Sequence, residues 1–533
     1  MAQKGRLMTA RARLIAAAVA MTIGWQGVAT ARPFIIGQGV ETQTLDPHGT
    51  TETNTLGVIM NIYEALVRRD RTMAIEPALA TEWHLINPTT WRFKLRQGVV
   101  FQDGSALTAA DVVFSLKRAL SATSDARAAV HSIDHIDVID DHTVDIVTQQ
   151  PNPILLPELC NFFIMSKDWA EAHDAAIPYT PTRAAGVENY ATRHADGTGP
   201  YALASYDSSQ SVNLVANKTW WDKKTNDLTE VTFAPIGSNA TRVAALLSGK
   251  VDMINPVPEQ DTAQIEANPQ FHIIRGERPA VMYLGLDSTS AQLKYGAEGA
   301  GNPFRDVRVR RAIYAAIDAT ALRRVVMRNA AEPAGSMIPK GVEGFEPAMA
   351  DHPAPDVAMA KQLMAEAGYA KGFAVTLDCT NDQYPQDETV CIAIGPMLAR
   401  IGITVTTRAD SRARFFPRVT SGDTSFYLMA WYSPTFDAQH ILWNTLETKT
   451  KIGGSWNATG WSNPEFDGLV QKIDVEMDQA KRRALISQAN ALERKNMIYL
   501  PLYQLTQAVA VKAGVSLVLR PDARVDLRFV TVK

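Results

Sequence analysis

The sequence predicts an α/β protein with more than one core, and three observations carry that prediction. Short runs of alternating apolar and polar residues recur along the chain. Between them stand longer runs with a three-to-four-residue apolar period, opened by Thr or Asp and several of them closed by Gly. The two kinds of segment alternate from end to end, which is the pattern of α/β architecture. About 500 residues remain once a leader is set aside, too many for one core, so two or three lobes are expected.

Taken in order, Trp91, Phe93 and Leu95 alternate with Arg92, Lys94 and Arg96, a strand with one buried face. Gln102-Asp103-Gly104-Ser105 is turn chemistry. Thr108 then opens a helix with Asp111 placed to close a capping box; Val112, Leu116 and Ala119 form its apolar face, and Lys117 and Arg118 suit its C-terminal end. A short helix runs from Arg242 to Leu247 and a strand from Val281 to Leu286. Asp306 caps a helix carrying Val309, Ile313, Ala316 and Ile317, and Asp356 caps another that stops at Gly368. Strands from Phe373 to Leu377 and from Ile403 to Thr407 flank a helix between Cys391 and Arg400. From Phe426 to Trp431 the alternation puts Tyr427, Met429 and Trp431 on one face and Phe426, Leu428 and Ala430 on the other. A long helix about Ala480 to Leu492 leads into Leu500-Pro501-Leu502-Tyr503.

Residues 1–31 read as a secretory signal peptide. Lys4, Arg6, Arg11 and Arg13 make a basic start, Leu14 to Val28 is apolar, and Ala29-Thr30-Ala31 is a cleavage site that leaves Arg32 at the new N-terminus. The apolar run is short for a membrane span, and no Cys follows it to carry a lipid. Without its four basic residues the chain holds 49 Lys and Arg against 56 Asp and Glu, a net charge of −7. That balance argues against nucleic acid or an anionic membrane as the main partner. Export also bears on the three cysteines. Cys379 and Cys391 bracket a polar, turn-rich stretch, and in an oxidising compartment a bridge there would staple a strand end to the next helix; three free thiols are the alternative.

Catalytic and cofactor signatures are missing. The chain has no G-x-S-x-G elbow, no H-E-x-x-H and no Walker loop, and Gly296, Gly299 and Gly301 do not follow a strand. His131 and His135 share a strand-like stretch and read as two surface histidines, with a metal pair as the alternative. No enzyme activity and no cofactor are expected.

Ten stretches together resemble the family 5 extracellular solute-binding proteins, which serve ABC importers for dipeptides, oligopeptides, glutathione and nickel. They are TLDPH (44–48), IYEALV (62–67), PALATEW (77–83), FKLRQGVVFQDGSALTAADVVFSLKRAL (93–120), GTGPY (197–201), ALLSGKVD (245–252), PFRDVRVRRAIYAAID (303–318), AKQLMAEAGY (360–369), SNPEFDGLV (462–470) and IYLPLY (498–503). The resemblance implies a two-lobed periplasmic binding protein of type II-like fold with an extra subdomain inserted in the first lobe. Carried over, the first lobe is 32–75, 198–280 and 503–533, the insert 76–197 and the second lobe 281–502, with hinges near 280 and 502. The implied partners are a small peptide-like solute and an inner-membrane ABC permease complex, served in the periplasm by a monomer.

The resemblance also points to the site. GTTET (49–53) matches a first-lobe cleft segment, so Thr50, Thr51 and Glu52 are candidates. The strand ending Trp431-Tyr432-Ser433-Pro434 matches the strand that pairs with extended ligands; Trp431 or Tyr432 would be an aromatic wall, and Ser433 and Tyr283 are further candidates. Peptide-binding relatives carry an Asp three residues after this Trp that pairs with the ligand's α-ammonium; here Pro434 stands there. The solute then lacks a free α-ammonium, as a modified or branched peptide-like compound would, or pairs it with Glu52 or Asp437, or leaves it in water; helix capping is the alternative role for Asp437. His440 is a metal-side candidate only if the solute is a nickel or other metal chelate; otherwise no metal is expected.

Overall fold

The computed structural model describes residues 33–533 apart from 185, 224 and 297–300. The leader, its cleavage site and Gly299 lie outside the described residues. An eleven-stranded sheet organises most of the chain. Its order is Ile403–Asp410, Phe373–Thr380, Phe426–Tyr432, Phe271–Leu286, Tyr499–Lys512, Met253–Asn255, Phe34–Gln38, Glu230–Pro235, Ser211–Ala216 and Tyr201–Asp207, with Ala331–Pro333 pairing beside Tyr499–Lys512. A separate four-stranded antiparallel sheet holds Ala80–Asn87, Thr90–Leu95, Thr143–Thr148 and Ile133–Asp140.

Two strands are unusually long. Phe271–Leu286 and Tyr499–Lys512 run antiparallel from Phe271 opposite Lys512 to Gly285 opposite Tyr499. Their register shifts between Glu277 and Val281 and again between Met282 and Tyr283. Proline explains the first break, because Pro279 brings no N–H to the ladder. Only the apolar half of the first of these strands, from Val281, is legible as a strand; Arg275-Gly276-Glu277-Arg278-Pro279 hides the rest. The other predicted elements form within a few residues of their expected limits. The Asp111 carboxylate accepts from both the Thr108 N–H at 2.8 Å and its hydroxyl at 3.1 Å. Asp306 and Asp356 cap Val307–Ala316 and Val357–Glu366.

The apolar residues fall into distinct cores. One set, including Met282, Leu284, Ile313, Leu377 and Leu500, packs one face of the second half of the sheet, and another, including Tyr283, Tyr427, Met429, Phe466 and Ile486, packs the other. The strand Phe426–Tyr432 divides its faces between them as its alternation requires, Phe426 and Leu428 to one and Tyr427 and Met429 to the other. A third core joins Ile36, Ile59, Tyr201, Phe233 and Met253 to Val511 and Leu527. A fourth lies under the four-stranded sheet, from Leu66 to Ile164. Cys379 and Cys391 are joined in a disulfide across 6.7 Å between Cα atoms, and Cys160 is free and half-buried.

Candidate functional site

A cavity of about 680 Å³ opens between loops of the first part of the chain and the segment that follows strand Phe426–Tyr432. Its size is within the range of about 300–1,000 Å³ typical of small-molecule sites. Pro47, Thr50, Thr51, Thr53 and Leu56 form one side. Asp125, His131, Ser132, Asn152, Glu158 and Asn161 extend it. Facing them are Trp431, Tyr432, Pro434, Gln439, His440 and Trp443, with Asp474 beside them; Arg524 completes the lining. The two sides already touch, since the Arg69 guanidinium donates to the Thr435 carbonyl at 2.9 Å and lies 4.6 Å over the Phe436 ring.

Four of the sequence candidates line this cavity: Thr50, Thr51, Trp431 and Tyr432. Trp431 donates its indole N–H to His440 Nδ1 at 3.2 Å and packs edge-on against Trp456 at 5.7 Å between ring centres. His440 is on the lining, and burial pulls its imidazole down to about 4, so it is neutral near pH 7. Among the described residues no group of three or more His, Cys, Asp or Glu side chains is placed to hold a metal ion. His135 is exposed beside Asp134 at 2.7 Å, whereas His131 sits ahead of that strand on the cavity wall, so the two do not form a pair on one strand face.

The other four candidates lie elsewhere, for identifiable reasons. Glu52 is the N-cap of the helix Thr53–Ile59: its carboxylate accepts from the Asn54 and Thr55 N–H groups at 2.9 and 2.7 Å, and from the Asn54 side chain. Tyr283 is wholly buried, set edge-on to Tyr499 at 4.6 Å, because its position opposite Met429 turns it into the core. Ser433 is buried and its hydroxyl donates to the Asp437 carbonyl at 2.8 Å. Asp437 is 4 % exposed and forms a two-pronged pair with Arg482, both contacts 2.7 Å. It also accepts from the Gln439 N–H at 2.8 Å, while the N-cap of the short helix Gln439–Ile441 is Ala438.

Sequence reading missed the remaining polar lining. Glu158 is buried, with its carboxylate accepting from Asn152 at 2.7 Å and Ser132 at 3.3 Å; desolvation, against those hydrogen bonds, pushes it up to about 8. Asp474 is pushed up to about 6, by burial first and by the Asp437 charge as well. Arg524 donates to the Asn161 side chain at 2.7 Å. The Gln150-Pro151-Asn152-Pro153 loop was the one available signal, a proline-fixed polar run next to a strand end.

Residues 74–452 match the family described as bacterial extracellular solute-binding proteins, family 5, middle region. The chain belongs to that family. Among relatives, the glutathione-binding protein GsiB of Pectobacterium atrosepticum is 26% identical over 496 residues, covering 91% of each chain. Among solved structures, the binding protein AgaA from A. tumefaciens R10, in complex with agropinic acid, is 25% identical with a TM-score of 0.72, covering 94% of this chain and 99% of that one. HbpA2 from Haemophilus parasuis superposes with a TM-score of 0.80 at 23% identity, covering 94% and 100%, which speaks to the fold alone. The family fold is two-lobed α/β, and this family 5 chain is a solute-binding protein.

Proposed function

We propose that this protein is the exported receptor of an ABC importer and that it takes a small peptide-like solute into the cavity between its two sides. In this reading the leader is removed after Ala31, and the monomeric protein carries the solute through the periplasm to an inner-membrane permease complex. The observation that carries the reading is the cavity itself: Trp431 and Tyr432 face the 47–56 stretch across a space that fits a short peptide and mixes apolar walls with amide and carboxylate groups. The glutathione-binding name of a relative that matches over 91% of both chains supports the same solute class. Closing such a site removes the solute from water, so each polar solute atom needs a partner, and the lining supplies donors and acceptors from both sides.

The lobe division follows the same reading. The first lobe takes 32–75, 198–280 and 503–533, the insert 76–197 and the second lobe 281–502. The separate cores support it, with two changes: Leu66 and Val67 pack with the insert core, and Phe163 to Ala191 pack with the first-lobe core, so the insert runs from about Leu66 to about Ile164. The two long strands are then the hinge, and the register breaks at Glu277/Val281 and Met282/Tyr283 are its flexing points.

Native mass spectrometry of protein taken from the periplasm tests the export and solute claims together. The expected result is a chain beginning at Arg32 with a peptide-like compound bound. Calorimetry with plain di- to pentapeptides, glutathione and nickel–histidine tests the class directly. Binding of nickel–histidine alone would replace the peptide reading with a metal-chelate one, in which His440 on the lining is the protein's contribution.

A further inference from the structure

A second, smaller chamber adjoins the main cavity. Asn161, Tyr432, Pro434 and Arg524 line both spaces and form the partition between them. The chamber's volume is about 40 Å³. One water needs about 10–15 Å³, so there is room for one small ion with a water or two, and not for a peptide-sized solute.

Guanidinium groups dominate its walls. Five arginines line it, and they fall into two sets. Arg68 is paired with Glu76 and Asp222, Arg520 with Asp522, and Arg528 with Asp526. Among the described residues, Arg69 and Arg524 have only neutral acceptors. Arg69 donates to the carbonyls of Met73 and Thr435, both at 2.9 Å, and Arg524 to the Asn161 side chain. A guanidinium carries more N–H donors than these bonds use. The two carboxylates on the chamber are already engaged. Asp522 accepts from Arg520 at 3.1 and 2.6 Å, and Glu64 accepts from Trp220, Trp221 and Thr198.

The positive charge reaches across the chamber to Tyr432. Burial raises the Tyr432 pKa first and the Asp522 charge adds to it, whereas Arg524, Arg278 and Arg69 all oppose them. Arg278 is in the same condition as the two lining arginines: burial pulls its pKa down, and its Nε is enclosed with no hydrogen-bond partner. Water can satisfy an N–H, but it does not balance a charge, and an enclosed cation without a counter-charge is costly.

We infer that this chamber is a binding site for a small monovalent anion of chloride size, held by Arg69 and Arg524 beside Tyr432. The site is separate from the solute cavity and independent of which solute that cavity takes. Its walls come from both sides of the molecule, Arg69 and Arg524 from one and Tyr432, Pro434 and Phe436 from the other. The anion therefore favours the arrangement in which those sides touch.

The test is the melting temperature of the full mature protein, with no solute added, as sodium gluconate is replaced stepwise by sodium chloride at constant ionic strength; the gluconate chain is too long for the chamber. The melting temperature is expected to rise with chloride and to level off after a gain of about 2 °C or more. Arg524→Gln is expected to lose that rise, and Arg193→Gln, which alters an exposed pair with Glu188, to keep it. Crystals of the parent grown with bromide are expected to show the anomalous signal of the ion in the chamber. A melting temperature that ignores chloride overturns the inference, and so does a rise kept by Arg524→Gln or lost equally in Arg193→Gln. Bromide found only on the surface, an adventitious ion only, overturns it as well, and that arm needs no variant to fold.

Discussion

Asp437 and Asp474 are neighbours in space with opposite situations. Asp437 is enclosed by a guanidinium, a backbone N–H and the Ser433 hydroxyl network, and every oxygen has a donor. Asp474, on the cavity lining, has an oxygen with none. The contrast separates a carboxylate that holds two segments together from one whose charge is only partly met, by the Gln439 side chain and by Arg482 at longer range. The residue type is the same; what differs is which of the two receives the hydrogen bonds of Arg482.

Breaking the structural member of the pair is expected to have the largest effect. Asp437→Ala leaves Arg482 buried and uncompensated, and loss of one partner of such a pair costs about 3–5 kcal/mol. Urea unfolding should show a large fall in midpoint with the slope unchanged; a midpoint near the parent's would mean that the pair is not what holds the 433–439 turn. Next in size is Trp431→Ala, expected to weaken solute binding at least tenfold, about 1.4 kcal/mol. Unchanged affinity in the folded variant would return Trp431 to a packing role against Trp456.

Glu158→Gln sharpens the comparison through pH. Burial raises the Glu158 pKa from 4.5 to about 8, so the native state favours the protonated form. That contribution is complete below the unfolded value and is lost as pH rises through about 8. The variant should therefore melt close to the parent at pH 5 and above it at pH 9, and matching melting curves at both pH values would show that Glu158 is not buried as described. The smallest effect is expected at Glu52. Glu52→Ala removes a helix cap worth about 1 kcal/mol, so thermal stability should fall slightly while calorimetry finds the same solute affinity. A loss of affinity larger than the loss of stability would return Glu52 to the site.

How far sequence reading reached depends on what each feature needs. Elements with local causes were legible: the Thr108–Asp111 cap, the Asp306 and Asp356 caps, and the two faces of Phe426–Tyr432 all follow from spacing alone. Family likeness pointed to Trp431 and Tyr432 on a strand whose end meets the cavity. Glu52, Ser433 and Asp437 lie off the lining: Glu52 and Ser433 are held by near neighbours, and Asp437 by Arg482, 45 positions away. Tyr283 lies off the lining for a geometric reason, since strand alternation fixes a face but not whether that face meets a core or a cavity. Glu158, Asp474 and Arg524 reach one space only after the chain has crossed between its cores, and no short window contains two of them.

The first-half sheet has a consequence for assembly. Phe34–Gln38 lies between Glu230–Pro235 and Met253–Asn255, and the latter pairs in turn with Val511 and Ala510. The core beneath it thus draws on both ends of the chain, while the cores that contain Tyr427, Leu428 and Ile313 draw on a continuous stretch. Contacts between distant residues carry a larger loop-closure cost and form later. During synthesis the second half therefore has all its strands before the first half does, and the earliest residues to emerge are among the last to find their neighbours. Removing residues 506–533 would strip the first-half core of Val511 and Leu527 and leave the continuous one its members through Leu505, so a single cut after Leu505 would divide the molecule into an ordered half and one that stays open.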